Sequence, residues 1–348
     1  MIKAQWAKAR LYFRFEAITS RERMWHKDTF FVRVWHSGTP DVVGIGECPL
    51  FRGLSADDRP DYTKVLADFC RRPSEWRLCS YPSIRFGFET AMADLEAGGR
   101  RLWSDGPWSR GEKGIAINGL VWMGDADTMG RRIAEKLDQG FRVLKLKIGG
   151  IDFESECRLL ENIRSHFRPA DLEIRLDANG SFAPCEAMER LGRLAGYSIH
   201  SIEQPLAPGQ KDAMRELCRR SPIAIALDEE LIGYHSEERT AGLLDDIRPQ
   251  YVILKPALIG GCGAASVIAE QASARGIGWW ATSALESDIG LNAIAQWVDS
   301  CNVTVPQGLG TGNLYSNNVP SPLEMHHAAL WRNPAGNWGM PDNVEWQD

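Results

Sequence analysis

Lys145, Lys147, Asp177, Glu203, Asp228 and Lys255 stand out by type and spacing, each in a short strand-like string: LKLKIG, RLDANG, SIEQP, LDEE and ILKP. From Lys147 onward they lie 30, 26, 25 and 27 residues apart. One β-strand, one α-helix and their loops take about that length. If the strands are parallel neighbours in a barrel, every one of these groups arrives at the same rim. Three carboxylates between lysines at one mouth suit a divalent metal flanked by two candidate bases. A hard cation such as Mg²⁺ takes about six oxygens, so three carboxylates leave positions for water and substrate. The chain reads as an enzyme.

Each of these residues also has a plainer explanation. Lys145 and Lys147 are two apart on one strand and therefore share a face. In a buried parallel strand that face is normally apolar, and two lysines there are costly without anionic partners. An edge strand with solvated lysines is the alternative, but carboxylates recur on the strands that follow. Any one acid at a strand end could cap a helix or anchor a loop. Three at near-equal spacing outweigh that reading. Lys255 precedes Pro256, which favours extended backbone at the lysine, and Gln204-Pro205 closes its strand the same way. Arg175 and Asn179 share a face with Asp177. They either touch a substrate or orient the site by hydrogen bonds behind it.

Other motifs carry less. GTGN (310–313) lacks the lysine and helix pattern of a phosphate loop, and suits backbone N–H groups approaching a carboxylate. LIGGCG (258–263) reads as a loop-to-helix turn. His326 and His327 have no matching ligands and read as surface residues. His26 falls in a loop where contact with a ligand has no support. No GxSxG string offers a serine nucleophile.

The elements that must position these groups follow from hydrophobic periodicity. Over residues 8–16 apolar and charged residues alternate, the period of a half-buried strand. A polar interruption at 19–28 separates it from TFFVRVWH, and GIGECPL reads as a third strand. The turn-rich loop LFRGLSADDRPD follows. Ser83 is placed to cap a helix whose Ile84, Phe88, Met92 and Leu95 share a face, ending at Gly98-Gly99. From about residue 114 strand, loop and helix repeat. Strand slots fall at 115–123, 143–149, 172–178, 200–205, 223–229, 250–256, 278–284 and 302–308. Between them Met129, Ile133 and Leu137, and then Phe153, Cys157, Leu160 and Phe167, mark helices. Eight slots alternating with helices predict an α/β fold, a (β/α) barrel of modified TIM type, with irregular first and last units. A doubly wound sheet is the rival, but it gathers its ligand at one switch point and accommodates chemistry from five strands less well. The expected domains are an α+β capping domain at 1–110 and a barrel at 111–319. A tail at 320–348 would return to the capping domain.

At 348 residues the chain is too long for one simple core. A net charge of −6 with both signs mixed, and no basic stripe among aromatics, argues against nucleic acid. The eight cysteines form no CxxC pair, so neither a disulfide framework nor a zinc site is expected. No apolar run has the length of a membrane span and no signal peptide is evident, which points to the cytoplasm. The expected partner is a small carboxylate, not a membrane. An oligomer is left open.

The ordered set KxK, DxN, ExP, DE and K resembles the enolase superfamily in its muconate-lactonizing subgroup. The mandelate racemase subgroup would offer a histidine base near the seventh strand, where this chain reads WWATSALES (279–287). GECPLFRGLS, LIGG, WWATSALESDIGLNAIAQW and QGLGTGNLYSNN are similar to the o-succinylbenzoate synthase family of menaquinone biosynthesis. The resemblance spans nearly the whole chain. It implies that Asp177, Glu203 and Asp228 hold Mg²⁺, or Mn²⁺ as a substitute. Lys147 would remove the proton α to a carboxylate, Lys255 would stabilise the enolate from the other face, and Lys145 would support Lys147. Ser283, Glu286, Leu309 and Gly310 would line the pocket, and residues 19–28 and 48–58 would close its mouth. The implied reaction is loss of water from 2-succinyl-6-hydroxycyclohexa-2,4-diene-1-carboxylate. A lysine of ordinary pKa near ~10.4 must be lowered to act as base, and burial, the second lysine and the metal all push that way. Racemisation of N-acylamino acids or epimerisation of dipeptides on the same scaffold is the nearest rival. GLGTGN lacks the acids that would hold a dipeptide's amine. A binding protein that has lost its chemistry would show a broken ligand or base, and all six positions are intact.

Overall fold

Alternation of apolar and charged side chains builds the first sheet. β1 (Ile2–Ile18) pairs antiparallel with β2 (Arg23–His36), and β2 with β3 (Thr39–Cys48). Leu11 and Phe13 turn into the core, while Lys8 and Arg10 reach out to Asp28 of β2 at 2.6 and 2.7 Å. The computed structural model describes residues 1–18, 23–122, 124–233, 236–341 and 344–348. Of the interruption expected at 19–28, residues 23–28 are strand, and 19–22 lie outside the described residues. Cross-strand partners such as Glu16 for Arg23, at 3.3 Å, let charged residues face water from within the ladder. His26 lies on this ribbon opposite Tyr12.

Two helices cover the sheet, α1 (Tyr62–Arg71) and α2 (Pro82–Glu96). Ser83 is not the cap expected of it. Pro82 takes the first helical position, and Asp57 Oδ2 accepts from both the Ser83 backbone N–H and its hydroxyl, each at 2.8 Å. The helix lies very close to β3. A Cβ at Gly44 would sit 2.0 Å from the Ala91 carbonyl oxygen, and one at Gly46 1.9 Å from that of Gly87, so the GIGEC string needs its glycines for contact.

The second unit runs β4 (Ile115–Ala116), β5 (Gly119–Val121), α3 (Ala126–Asp138), β6 (Val143–Lys147), α4 (Phe153–His166), β7 (Glu173–Asp177), α5 (Pro184–Ala195), β8 (Ser201–Glu203) and α6 (Lys211–Arg220). It continues with β9 (Ala224–Leu227), α7 (Glu237–Ile247), β10 (Tyr251–Leu254), α8 (Pro256–Ile259), α9 (Cys262–Ser273), β11 (Gly278–Ala281) and α10 (Asp288–Ser300). Strands β5 to β11 form one parallel sheet in chain order. Residues 307–308 close it into a ring, bridging Ile117 on one side and Thr282 on the other. Closure excludes the doubly wound alternative, and the fold is a (β/α) barrel of modified TIM type with an antiparallel capping sheet. The first and last units depart from the slots expected of them. The first slot splits between β4 and β5, and the eighth shrinks to the bridging pair.

Strand alternation then sorts the side chains. Leu146, Leu176, Ile202 and Ile225 stand level across four strands and join helix residues such as Leu160, Leu191 and Met214 in one apolar core. Burying each such side chain contributes about 1.5–3 kcal/mol. The opposite face points into the barrel, where Lys147, Asp177, Glu203 and Ala226 form a row.

In the tail, β12 (Leu323–His326) and β13 (Ala329–Arg332) form a hairpin that pairs with β4. His326 and His327 sit exposed at its turn, with His326 stacked on Trp331. Further on, Gln347 exchanges backbone bonds with Trp6 of the first sheet. All eight cysteines are free. Among the described residues no helix is long and apolar enough to cross a membrane.

Candidate active site

The parallel register brings the six residues to one end of the barrel. Lys147, Asp177 and Glu203 are lateral neighbours at the ends of β6, β7 and β8. Asp228 and Lys255 follow directly after β9 and β10. Lys145 Nζ lies 2.9 Å from Asp177 Oδ2 and 2.6 Å from Glu203 Oε2. Lys147 Nζ is 3.0 Å from Asp177 Oδ2 and donates to Asn179 Oδ1 at 2.7 Å. Lys255 donates to Asp228 Oδ2 and lies 3.9 Å from Glu203 Oε1. Asn179, in the left-handed region at φ 46°, turns back over the strand end and also donates to Glu229 at 3.0 Å. Gln204 accepts from the backbone N–H groups of Asp228 and Glu230, tying β8 to the loop after β9.

The electrostatics follow from burial and proximity. Burial alone would depress Lys145, but Asp177, Glu203 and Asp228 outweigh it and hold the lysine charged, its pKa raised. Lys255 is likewise raised, against burial, by Asp228, Glu203 and Glu229. At both lysines the carboxylate partners win over desolvation. Asp177 is driven down despite burial by Lys145, Lys147 and Lys255. Glu203 is pushed up to about 8 by burial and by the Asp177 carboxylate, in spite of Lys145.

The donor set fits a hard divalent cation. Three carboxylates end adjacent strands, and two of them already share one ammonium. The present side-chain arrangement is not a closed cage. Among the described residues no three acids, histidines or cysteines gather around one point; the carboxylates are instead paired with Lys145 and Lys255.

A cavity opens above this cluster. Lys145, Lys147, Asp177, Asn179, Lys255, Ser283 and Gly310 line it. Five other expected residues do not. Arg175 is one layer deeper, its guanidinium 4.3 Å from the Trp280 ring centre and bonded to Glu173 and the Pro306 carbonyl oxygen. Glu286 is buried behind the wall and accepts from Ser283, and Leu309 is fully buried. Glu203 and Asp228 lie beneath the lysines and meet the cavity only through them.

Phe51 and Leu54, from the 48–58 segment expected at the mouth, and Thr311, in the loop around Gly310, also line it, and four further residues have no counterpart in the sequence reading: Asn118, Leu120, Trp122 and Thr282. A signal was present: Asn118, Leu120 and Trp122 keep a strand's period of two. Asn118 Oδ1 and the hydroxyls of Thr282 and Thr311 are buried with no hydrogen-bond partner among the described residues.

Comparisons with known proteins agree with this fold. A family model described as enolase C-terminal domain-like matches residues 128–330. An o-succinylbenzoate synthase from Desulfotalea psychrophila is 45% identical over 94% of this chain and 98% of its own. A crystal structure of MenC from Desulfotalea psychrophila superposes with a TM-score of 0.81 at 42% identity, covering 95% of this chain and 99% of that one. A dipeptide epimerase from Enterococcus faecalis, complexed with Mg and a dipeptide, reaches 0.80 over 100% of this chain and 99% of its own. At 18% identity that likeness is one of fold alone.

Proposed function

The chain belongs to the enolase superfamily, and from that premise we propose that it is a carbon–oxygen lyase, an o-succinylbenzoate synthase. It dehydrates 2-succinyl-6-hydroxycyclohexa-2,4-diene-1-carboxylate to o-succinylbenzoate. One observation carries the reading. Lys147 and Lys255 face the same cavity from strands on opposite sides of the barrel, above three buried carboxylates. The similarity to the Desulfotalea synthase over nearly both full lengths supports the choice of reaction.

In this reading Asp177, Glu203 and Asp228 hold Mg²⁺. The bound ion supplies positive charge to the substrate carboxylate, where charge develops as the α-proton leaves. Lys147 as free amine takes that proton from C1. The electrons of the broken C–H bond pass into the carboxylate and return to form the C1–C6 double bond as the C6 hydroxyl departs. The Lys147 ammonium gives its proton to that hydroxyl, so water leaves, the ring becomes aromatic and the amine is regenerated. Lys255, held charged by Asp228 and Glu203, faces the enediolate and stabilises it. Lys145 stays charged behind Lys147, held so by Asp177, Glu203 and Asp228.

Asn179 orients Lys147 toward the cavity. Ser283, the Gly310 loop and the hydroxyls of Thr282 and Thr311 provide hydrogen bonds for the succinyl tail. Leu309 and Glu286 support that wall from behind, and Arg175 braces the barrel below it. Phe51 and Leu54, from residues 48–58, cover the mouth and limit water. The working domains are 1–110, 111–319 and the 320–348 tail, and the enzyme works in the cytoplasm. A lysine on each face of an α-carbon also suits racemisation of N-succinylamino acids, which we keep as the second reading. Proton NMR of the diene and of an N-succinylamino acid in D₂O with the protein separates them. The lyase reading requires o-succinylbenzoate from the first. Exchange at the α-carbon of the second, with the diene untouched, would replace it.

A further inference from the structure

Two acids of the capping unit bond directly to helices of the barrel. Glu47, near the end of β3, is fully buried, and its carboxylate accepts four hydrogen bonds. Thr29 of the neighbouring strand gives one at 2.7 Å. The other three come from the start of α10: Ser287 N–H at 3.0 Å, the Ser287 hydroxyl at 2.6 Å and Gly290 N–H at 3.1 Å. Glu89, on α2, accepts from the N–H groups of Cys262 and Gly263 at 2.6 and 2.9 Å, at the start of α9. Both carboxylates therefore satisfy N–H groups that a helix cannot satisfy itself. Gly261 leaves the room for this: at φ 115°, its added Cβ would stand 2.1 Å from Glu89 Oε2.

The two helix starts adjoin different parts of the cavity. α9 begins seven residues after Lys255, and the intervening turn is tight. Leu258 N–H donates to the Lys255 carbonyl oxygen and Gly261 N–H to that of Pro256, each at 2.8 Å. α10 begins at Asp288, after the wall Thr282–Leu285 and two intervening residues, with Ser287 as its cap. There Leu285 is held at φ 63°, with Tyr315 donating to its carbonyl oxygen at 2.8 Å and its own N–H donating to Ser283 Oγ at 3.0 Å.

We propose that Glu47 and Glu89 are positioning residues that set the catalytic geometry from across the domain boundary. Glu89 fixes the turn that carries Lys255, and Glu47 fixes the wall that meets the substrate's tail. The division of labour rests on the lyase reading above. Since Lys255 acts on the enediolate and the wall acts on binding, the two caps have different kinetic signatures.

Steady-state kinetics of the full chain with Mg²⁺, on Glu89→Gln, Glu47→Gln and the control Asp94→Asn, test this. Asp94 bonds to Ile45 and Arg101 N–H groups without capping a barrel helix. Glu89→Gln is expected to lower kcat about fivefold or more with KM within about twofold, and Glu47→Gln to raise KM about fivefold or more with kcat little changed. Asp94→Asn should lower the melting temperature only. If both glutamine variants keep kcat and KM within about twofold while melting lower, or shift both constants alike, the caps merely join the domains and the proposal fails. Amide hydrogen exchange provides a reading independent of turnover. Protection should fall at 251–263 in Glu89→Gln and at 282–290 in Glu47→Gln, each without the other, and uniform loss overturns the assignment. If the unaltered protein does not convert the diene, the lyase reading falls, and the exchange pattern still decides whether the caps act locally. Glu47→Asp takes the place of Glu47→Gln if that variant does not fold.

Discussion

Lysines on an inward-facing strand survive burial only by pairing, and the pairing here is uneven. Lys145 is surrounded by carboxylates and stays charged, whereas Lys147 has one carboxylate oxygen and one amide and stands nearer the opening. That asymmetry is what a base beside a fixed positive charge requires. Lys147→Ala should lower dehydration by about a thousandfold or more, while Mg²⁺ affinity by isothermal titration stays within about threefold. Substantial remaining turnover would remove Lys147 from the base role. The carboxylates and lysines were legible in the sequence because period-2 alternation and even spacing are one-dimensional facts. For Arg175 two readings stayed open, because alternation gives the face of a side chain and not its depth, and the structure has the one behind the site. Two residues before Asp177 it is one layer down, against Trp280.

At the scale of elements, the sequence is most informative where burial is periodic and least where contacts join distant segments. Strands β6 to β11 announce themselves as apolar runs, and the structure places each within a few residues of expectation. The eighth slot contracts because residues 307–308 bond to both neighbours while the segment before them makes no ladder. β2 begins earlier than its composition suggests because Asp28 and Glu16 supply cross-strand partners for basic residues. Ser83 looked like a cap, but Asp57, from a loop, holds that helix start instead. The glycines of GIGEC belong here too. Their reason is the α2 backbone, and no local pattern reveals it. Gly44→Ala should destabilise the protein by about 1–3 kcal/mol, since a backbone oxygen must move to admit the methyl group. The check is a lower urea midpoint at unchanged slope, and an unchanged midpoint would show that the helix yields without cost.

Across the whole molecule, tail and barrel meet at a second buried acid. Asp288, at the start of α10, accepts from Ser321 and from Asn318 at 2.8 Å. Burial pushes its carboxyl up to about 7, with Glu47 adding to the shift and those two hydrogen bonds opposing it. The unfolded carboxyl titrates near ~3.9. Between those values the folded chain holds a proton that the unfolded chain has released, so stability falls as pH rises through the window. Above about pH 7 the full cost is present, on the order of a few kcal/mol at most. Asp288→Asn should flatten that slope and gain most stability at alkaline pH, as read by urea unfolding across the window. An unchanged slope would mean that the tail does not hold this acid in its protonated form.

The measurement that bears most directly on the proposed chemistry is the ultraviolet absorbance of the cyclohexadiene substrate with purified protein, first with Mg²⁺ and then with EDTA. The diene band should disappear with Mg²⁺, stop disappearing when EDTA is added and resume when Mg²⁺ is restored, with o-succinylbenzoate as the product. A diene band that persists in the presence of Mg²⁺, or that decays equally in EDTA, would contradict a metal-assisted lyase built on Asp177, Glu203, Asp228 and Lys147.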